Sequence, residues 1–180
     1  SAYTLKDIDL FKEMDQYQLQ YIEQPLGEED IVDHAVLQKE IETPVCLDES
    51  VVSYEAAEAA IRLGSCKVIN IKSSRCGGVY EGKRIHDLCV AHGIPVWCGG
   101  MTELGIGRAQ NVSFASLPGF TELAHDVAAA NRYFDEDITS PMVDITDRCT
   151  IIVPDEDNGI RYEVDEKQID KMEAGHWIFK

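Results

Sequence analysis

The sequence predicts an α/β protein built on a parallel β-sheet, either an open sheet or part of a (β/α) barrel. Short apolar runs alternate with amphipathic helical patterns about every 25 residues, which is the repeat expected of βαβ units. The runs are nearly all apolar, as strands covered on both faces are. Four successive runs end in a charged residue, namely Glu23, Asp48, Lys72 and Glu103. Because catalytic groups lie at the carboxyl ends of barrel strands, this placement favours the barrel.

The N-terminal residues predict a helix followed by a strand. Apolar residues recur at threefold spacing over 4–16, and Thr4 with Asp7 forms a capping-box pattern at the start of this helix. An extended run over 19–23 then stops at a Gln-Pro-Leu-Gly turn, since proline and glycine interrupt a strand. Glu23 is therefore expected at the carboxyl end of the first strand.

A helix and a buried strand form the second predicted unit. The helix covers 30–41, and His34 is interpreted as an ordinary residue of its face. A Thr-Pro pair favours extended backbone just before 45–47, which is predicted as a strand. This strand delivers Asp48 and Glu49 at its end.

The third predicted strand has a lysine at its end. Before it, Ser53 is expected to cap a helix over 54–63, and the glycine that follows is typical of a helix C-terminus. The run Val-Ile-Asn-Ile at 68–71 predicts a short buried strand. Lys72 would point into the mouth of a barrel, whereas a lysine taken alone is most often a solvated surface residue.

The pattern becomes weaker towards the C-terminus. Two glycines at 99 and 100 allow the backbone to approach a ligand or a neighbouring strand closely. About four to five βα units are visible, against eight in a closed barrel. The remaining predicted elements are a helix over 78–92, a strand over 96–98, a helix over 105–116, a weak strand over 121–124, and paired strands over 150–153 and 160–164 around Asn158-Gly159.

Composition and charge exclude several classes of protein. The 180 residues include 33 acidic and 16 basic residues, and the net charge of -17 disfavours nucleic acid and anionic membranes as partners. No apolar run reaches the ~18 residues of a membrane span, and no leader pattern is recognised, so membrane insertion and export are not expected. The six cysteines include no Cys-x-x-Cys pair and are expected to be reduced. A cytoplasmic protein is predicted.

Two carboxylates and a lysine at neighbouring strand ends predict metal-assisted proton transfer. Glu23 and Asp48 are hard oxygen ligands of the kind that magnesium prefers, although two carboxylates do not complete its shell. Each of them alone is more often a helix cap or a surface ion pair. Together with Lys72, a divalent ion can stabilise an enediolate while a proton is exchanged beside a carboxylate.

Four segments of the sequence resemble one known family. They are Tyr-Ile-Glu-Gln-Pro-Leu at 21–26, Leu-Asp-Glu-Ser at 47–50, Asn-Ile-Lys-Ser-Ser-Arg-Cys-Gly-Gly at 70–78 and Trp-Cys-Gly-Gly-Met-Thr-Glu-Leu-Gly-Ile-Gly-Arg-Ala at 97–109. Together they are similar to the enolase superfamily, and within it to the o-succinylbenzoate synthase and N-acylamino acid racemase family. The similarity runs from the first residue to Asp137.

The resemblance implies the C-terminal part of an enolase-superfamily TIM-type (β/α) barrel, with the N-terminal capping domain and the first strands absent from this chain. Residues 1–135 would form the catalytic part of the barrel, and residues 136–180 would complete the barrel or the capping region. The missing N-terminal half, or a second copy of the chain, is the expected partner. Alone, the chain is expected to be inactive and poorly folded, because half a barrel leaves sheet edges unpaired.

The resemblance also implies roles for individual residues. Glu23 and Asp48 would be two of three magnesium ligands, and Lys72 would be one of two lysines on opposite faces of a small-molecule carboxylate substrate. In dehydration the other lysine moves the proton while Lys72 stabilises the enediolate, whereas in racemisation both lysines shuttle protons. Arg75 is expected to shape the loop after the strand. The groups expected in or behind the substrate pocket are Glu49, Gly99, Met101 and Glu103.

Parts of the family pattern are different in this sequence. The third metal ligand and the other lysine are expected upstream of Ser1. Ala124-His125-Asp126-Val127 stands where the family tends to carry Pro-Gly-Asp, and Leu104 replaces a usual small hydroxyl residue. The last loop and the pocket are therefore expected to depart from the family's geometry.

Three functions stay open from the sequence. The first is an o-succinylbenzoate synthase-like dehydratase, a carbon-oxygen lyase of menaquinone biosynthesis that uses Mg²⁺. N-acylamino acid racemase is the close alternative, because the same two lysines serve both reactions. The third is a catalytically incomplete interaction module, whose open sheet edge would need a partner chain.

Overall fold

A computed structural model describes residues 1–153 and 162–175, which form two compact units. The first unit contains residues 1–99 and 117–125, and the second contains residues 100–116 with the described residues from 126 onward. The predicted division at residue 135, between a catalytic part and a C-terminal segment, stays a prediction. Within the described part, every helix is too short or too polar to span a membrane.

A parallel sheet of four strands organises the first unit. Its elements in chain order are α1 (Ile8–Met14), β1 (Ile22–Glu23), α2 (Ile31–Glu40), β2 (Val45–Leu47), α3 (Tyr54–Leu63), β3 (Val68–Ile71), α4 (Val79–Ala91) and β4 (Val96–Cys98). The strands lie in the order β1-β2-β3-β4, and each neighbouring pair is parallel. The prediction of a parallel sheet is confirmed for this unit, and helices α2, α3 and α4 follow its first three strands as predicted.

The sequence signals at the helix ends are also confirmed. Thr4 and Asp7 form the capping box, here around the 3₁₀ turn that precedes α1. Ser53 accepts a hydrogen bond from Ala56 N at the start of α3. Gly64 ends α3 with a φ of 72°, a left-handed conformation that glycine adopts without steric cost.

The first helix and the first strand are shorter than predicted. The α-helix ends at Met14, and a 3₁₀ turn then leads to Gln18, whose left-handed φ of 50° stops the helix. The predicted strand over 19–23 is reduced to Ile22–Glu23, because only these residues have partners in β2. Glu23 keeps its predicted place at the strand end.

Buried side chains of the middle strands form the core of the first unit. Every residue of β2, β3 and β4 is buried, as a sheet covered on both faces requires. Cys46, Val68 and Trp97 form one cluster, and the Tyr21 ring stacks on Trp97 with a centroid separation of 6.0 Å.

The cysteines are free thiols, and all except Cys149 are buried. Burial raises the pKa of the Cys66 and Cys89 thiols to about 12, so both are uncharged at neutral pH. They therefore pack as small hydrophobic side chains, as predicted.

His34 on α2 is fully buried and has a structural role. Its Nε2 accepts a hydrogen bond from Leu26 N at 3.1 Å, and its Nδ1 is bonded to the Asp30 carbonyl. Burial lowers the pKa of His34, while the bond to Asp30 acts in the opposite direction. The histidine thus fastens the loop after β1 to α2.

The second unit combines helices with a short antiparallel pair of strands. Its elements are α5 (Gly105–Ala115), β5 (Thr139–Ser140), β6 (Glu163–Val164) and α6 (Glu166–Met172). Thr139 lies opposite Val164 in the pair. Ala109, Val112 and Val143 form the buried core of this unit.

Two of the predicted strands are wrong, and a third is only partly described. Residues 121–124 form no strand, since they follow the turn at Gly119 and have no strand partner in the first unit. Residues 150–153 also form no strand, because a turn at Cys149, with a φ of 57°, bonds the backbone of residues 146 and 150 to each other. Val164 does lie in a strand, but it pairs with Thr139, and the predicted hairpin turn at 158–159 falls outside the described residues.

Candidate active site

Charged and polar side chains collect where the parallel strands of the first unit end. Glu23 is the last residue of β1, while Asp48, Lys72 and Gly99 directly follow β2, β3 and β4. Because the strands are parallel neighbours, these positions lie at one edge of the sheet. The structure therefore brings together the predicted site residues of this unit.

Asp48 is the most heavily paired group of the site. Its Oδ2 lies 2.7 Å from Lys72 Nζ, and its Oδ1 accepts a hydrogen bond from the Arg75 guanidinium. The Asp48 side chain is only 5% exposed, and those of Lys72 and Arg75 are each 16% exposed. Loss of one partner would leave a nearly buried charge with little water to solvate it.

The contact of Arg75 with Asp48 was not predicted from the sequence. Arg75 N and Cys76 N both donate to the Lys72 carbonyl, at 2.9 and 3.2 Å, and this tight turn brings the guanidinium back to the strand ends. Arg75 therefore does more than shape the loop, because it holds one oxygen of the Asp48 carboxylate. The sequence does contain a signal for this contact. An arginine lies shortly after a strand-end lysine, and a carboxylate at the end of the neighbouring strand can pair with that arginine.

Asn70 orients the Glu23 carboxylate. Asn70 Nδ2 donates to Glu23 Oε1 at 2.8 Å from a buried position in β3. The amide lies against Gly99, where an added Cβ would be 2.3 Å from Asn70 Oδ1 and 2.8 Å from Lys72 Cε. A side chain at this position would displace Asn70 and Lys72. The close backbone approach predicted for the glycines after β4 is thus confirmed at Gly99.

The carboxylates at this edge outnumber the positive groups that compensate them. Burial raises the pKa of Glu23 above its ordinary value, the hydrogen bond from Asn70 opposes this shift, and the charges of Asp48 and Glu49 add to it. Glu49 Oε2 is buried and has no hydrogen-bond partner among the described residues. A bound cation would therefore be favoured here.

Gln24 ties together the loops that follow β1 and β2. Its Oε1 accepts hydrogen bonds from Asp48 N at 2.9 Å and Ser50 N at 3.3 Å, while its Nε2 donates to Ser50 Oγ at 2.8 Å. Gln24 has a φ of 36°, which is uncommon for a residue other than glycine. Sequence reasoning missed this residue, although a polar residue placed directly before a proline at a strand end is a signal for special backbone geometry.

Met101 and Glu103 belong to the second unit, and the prediction that Glu103 ends the fourth strand is wrong, because β4 ends at Cys98. Glu103 Oε1 accepts hydrogen bonds from Met101 N at 2.7 Å and Asn111 Nδ2 at 2.9 Å. Arg108, which is 1% exposed, donates to the Glu103 carbonyl at 2.6 Å. These bonds fix the turn before α5, and the predicted places of Met101 and Glu103 around a substrate pocket stay predictions.

The donor chemistry at the strand ends fits a magnesium ion. Glu23 and Asp48 offer hard carboxylate oxygens, and the unpartnered oxygen of Glu49 marks a place where positive charge is lacking. Over residues 1–153 and 162–175, no group of three or more acidic, histidine or cysteine side chains is arranged as a metal site. Among the described residues, the two predicted ligands Glu23 and Asp48 would thus need further ligands to complete the shell of a metal ion.

A parallel α/β sheet that carries carboxylates and a lysine at its strand ends is typical of barrel proteins whose active site lies at the carboxyl ends of the strands. The fold and the site therefore define this class of protein. A comparison with protein families then identifies the particular family. The chain belongs to the enolase C-terminal domain-like family, whose model matches residues 2–168.

Proteins that are similar in sequence include both a synthase and a racemase. The o-succinylbenzoate synthase of Geobacillus stearothermophilus is 52% identical over 171 residues, which are 95% of this chain and 45% of that protein. The N-succinylamino acid racemase of Amycolatopsis sp is 54% identical over 143 residues, which are 79% of this chain and 39% of that protein. The chain therefore spans less than half the length of these relatives.

Solved structures confirm the predicted fold. A member of the enolase superfamily from Listeria innocua matches with a TM-score of 0.89 and 43% identity, covering 95% of this chain and 45% of that one. A dipeptide epimerase from Enterococcus faecalis, complexed with magnesium and L-Leu-L-Tyr, matches with a TM-score of 0.72 and 26% identity, covering 80% of this chain and 41% of that one. The fold is the C-terminal barrel-like α/β fold of the enolase superfamily.

Proposed function

We propose that this chain is the catalytic barrel portion of an o-succinylbenzoate synthase-like carbon-oxygen lyase. The observation that carries the proposal is the enclosed Lys72 and Asp48 pair, 2.7 Å apart at the strand ends. The 52% identity to an o-succinylbenzoate synthase supports the choice of reaction. Such a dehydration removes a proton from the carbon beside a carboxylate, breaks a carbon-oxygen bond, forms a carbon-carbon double bond and releases water.

Glu23 and Asp48 are the residues that would hold a magnesium ion. When bound, the ion would stabilise the negative charge that builds on the substrate carboxylate as the proton leaves. Asn70 keeps Glu23 oriented through the bond at 2.8 Å, and Gln24 fixes the backbone of Asp48. The family resemblance implies a third ligand, which we expect upstream of Ser1.

Lys72 is the residue that would act directly on the substrate. As an ammonium group it presents three donors, and in the dehydration it would stay protonated and hydrogen-bond to the developing enediolate. Gly99 leaves the space in which the Lys72 side chain lies. The base that removes the proton would be the second lysine that the resemblance implies, also expected upstream of Ser1.

Racemisation of N-acylamino acids is the second candidate reaction. It is favoured by the 54% identity to an N-succinylamino acid racemase. In this reaction Lys72 would also transfer a proton, taking it from or returning it to one face of the same carbon. Both reactions place the same demands on Glu23 and Asp48.

We also propose the setting in which the protein works. The buried free thiols support a cytoplasmic setting, and the net charge of -17 argues against nucleic acid and anionic membranes as partners. Its expected partner is the N-terminal half of the barrel or a second copy of the chain. A catalytically inactive interaction module is the alternative to an enzyme.

Two assays of the full-length protein, run side by side, test the proposal. One follows formation of the aromatic product from the substrate of an o-succinylbenzoate synthase, and the other follows exchange of the α-proton of an N-succinylamino acid in D₂O by NMR. We expect lyase turnover that requires Mg²⁺ and is lost after chelation, with or without racemase activity. Racemase activity alone would favour the second candidate. A folded, Mg²⁺-loaded protein that is inactive in both assays would overturn the proposal of an enzyme.

A further inference from the structure

The segment over residues 117–125 packs against α4 through a glycine and an aromatic ring. At Gly119, whose φ is 112°, an added Cβ would come within 2.8 Å of His86 Nε2 and 2.7 Å of Val90 Cγ2. The next residue, Phe120, is 8% exposed, and its ring lies 4.7 Å from the His86 ring. The segment is therefore fixed at its start by packing that only glycine permits.

His125 ends this segment and binds the end of β4. Its ring meets the Phe120 ring edge to face, with centroids 5.2 Å apart and an interplanar angle of 86°. Its Nδ1 accepts a hydrogen bond from Cys98 N at 3.1 Å. The following amide, Gly99 N, turns the other way and donates to Ile71 O of β3 at 3.2 Å. His125 thus holds the side of β4 that faces away from β3.

The bonded strand end is next to the site residues. Cys98 directly precedes Gly99, whose backbone lies so close to Asn70 and Lys72 that a Cβ would come within 2.8 Å of both. A shift of this strand end would change the space around Lys72 and around the Asn70 amide that orients Glu23. The position of β4 is therefore coupled to the catalytic geometry.

We propose that His125 is a positioning residue, which holds β4 so that Gly99 keeps Lys72 and Asn70 in place for the reaction. The inference rests on the proposed function. His125 lies in the Ala-His-Asp-Val stretch, at the point where this sequence departs from the family's Pro-Gly-Asp pattern. The positioning role of His125 is therefore specific to this sequence and does not follow from the family resemblance.

The chemistry of the imidazole agrees with this role. Nδ1 accepts a hydrogen bond only when the ring is neutral and carries its proton on Nε2. Burial lowers the pKa of His125, which favours the neutral ring.

Two substitutions of His125 separate hydrogen bonding from packing in the full-length protein. His125→Phe keeps a ring against Phe120 but removes the acceptor. His125→Asn places an acceptor oxygen near the position of Nδ1. His92→Phe, on an exposed histidine at the end of α4, is the matched control. The readouts are kcat and KM, together with the rate of Lys72 acetylation by acetic anhydride, measured by mass spectrometry relative to the exposed Lys67.

We expect His125→Phe to lower kcat roughly ten- to a hundredfold with little change in KM, because small displacements of catalytic groups are costly in rate. The ratio of Lys72 to Lys67 acetylation should rise severalfold. His125→Asn should restore both values towards those of the wild type, and His92→Phe should change neither. If His125→Phe does not fold, His125→Gln replaces it, since its amide reaches the Nε2 position and leaves Cys98 N without its acceptor.

A wild-type kcat and acetylation ratio in His125→Phe would overturn the proposal. Equal impairment of folded His125→Asn and His125→Phe would also overturn it, because packing and not the hydrogen bond would then be decisive. Acetylation needs no substrate. If the wild type proved inactive in both assays, the proposed function would fail, and the acetylation ratio would still decide whether His125 positions Lys72.

Discussion

Lys72 Nζ lies 2.7 Å from Asp48 Oδ2, and the Arg75 guanidinium holds the other oxygen of the same carboxylate. Both oxygens of a proposed metal ligand are therefore already neutralised by side chains of this chain. Because each carboxylate oxygen has more than one lone pair, a cation could bind Asp48 while Lys72 and Arg75 remain in place. The Lys72 ammonium group and a bound cation would then share the Asp48 carboxylate.

Lys72→Ala should abolish turnover of the full-length protein without unfolding it. The loss should be about a hundredfold or more in kcat, because a well-placed charge in an enclosed site stabilises the transition state strongly. The measurement is steady-state kinetics on both candidate substrates, with circular dichroism to establish folding. Lys67→Ala removes an exposed lysine from the residue just before β3 and should retain full activity. Near-full activity of Lys72→Ala on either substrate would contradict the role assigned to this lysine.

Magnesium binding by the full-length protein should depend on both Glu23 and Asp48. In the double variant Glu23→Gln with Asp48→Asn, we expect affinity to fall by at least tenfold, because a neutral amide is a poor replacement for a carboxylate ligand. Titration calorimetry measures the effect, and Glu13→Gln, at an exposed position of α1, is the control. Unchanged affinity in the double variant would leave the two carboxylates as ordinary strand-end residues.

The strand ends could be predicted because their signals are local. Apolar runs bounded by proline or glycine placed Glu23, Asp48 and Lys72 correctly, and parallel pairing then brought them to one edge. The contact of Arg75 with Asp48 could not be predicted in the same way, since it depends on a tight turn that brings a guanidinium back to another strand. The role of Gln24 likewise depends on two loops that are distant in sequence.

The wrong strand predictions have a related cause. The run Thr-Ile-Ile-Val at 150–153 has high β propensity. A high propensity means that these side chains pack well in a sheet, and it does not by itself supply a neighbouring strand to pair with. The turn at Cys149 uses the backbone carbonyl of Thr150 in a hydrogen bond from the amide of Thr146. In β6, Val164 pairs with Thr139 and not with the run at 150–153. Just after 121–124, Cys98 N of β4 donates a hydrogen bond to the His125 side chain, and a side-chain acceptor is not part of any strand pattern.

Asp15→Ala should lower the stability of the full-length protein near neutral pH. Burial alone would raise the pKa of Asp15, but hydrogen bonds from Thr43 Oγ1 at 2.6 Å and from the amides of Glu42 and Thr43 lower it overall from its ordinary 3.8. A carboxyl whose pKa is lowered on folding stabilises the protein above its unfolded pKa, and this contribution is lost as the pH falls. We expect Tm to fall by about 3 °C at pH 7.

The difference in Tm between wild type and Asp15→Ala should shrink as the pH falls below 3.8. Thermal denaturation over a series of pH values measures it. Asp9→Ala, at an exposed position on α1, is the matched control and should show little difference at any pH. A difference for Asp15→Ala that stayed constant with pH would mean that the ionised carboxylate is not what holds residues 42 and 43.

Gly99→Ala should reduce both stability and turnover of the full-length protein. The added Cβ would lie 2.3 Å from Asn70 Oδ1, 2.7 Å from Asn70 Nδ2 and 2.8 Å from Lys72 Cε, so at least one of these side chains must move. Overpacking of this kind typically costs about 1–3 kcal/mol, and displacement of Asn70 would also weaken the hold on Glu23. We therefore expect a lower Tm, a lower kcat and weaker Mg²⁺ binding together. Gly175→Ala is the matched control, because its Cβ would meet nothing within 4 Å. If Gly99→Ala retained the stability and activity of the wild type, the backbone of β4 would not lie against Lys72 as the structure places it.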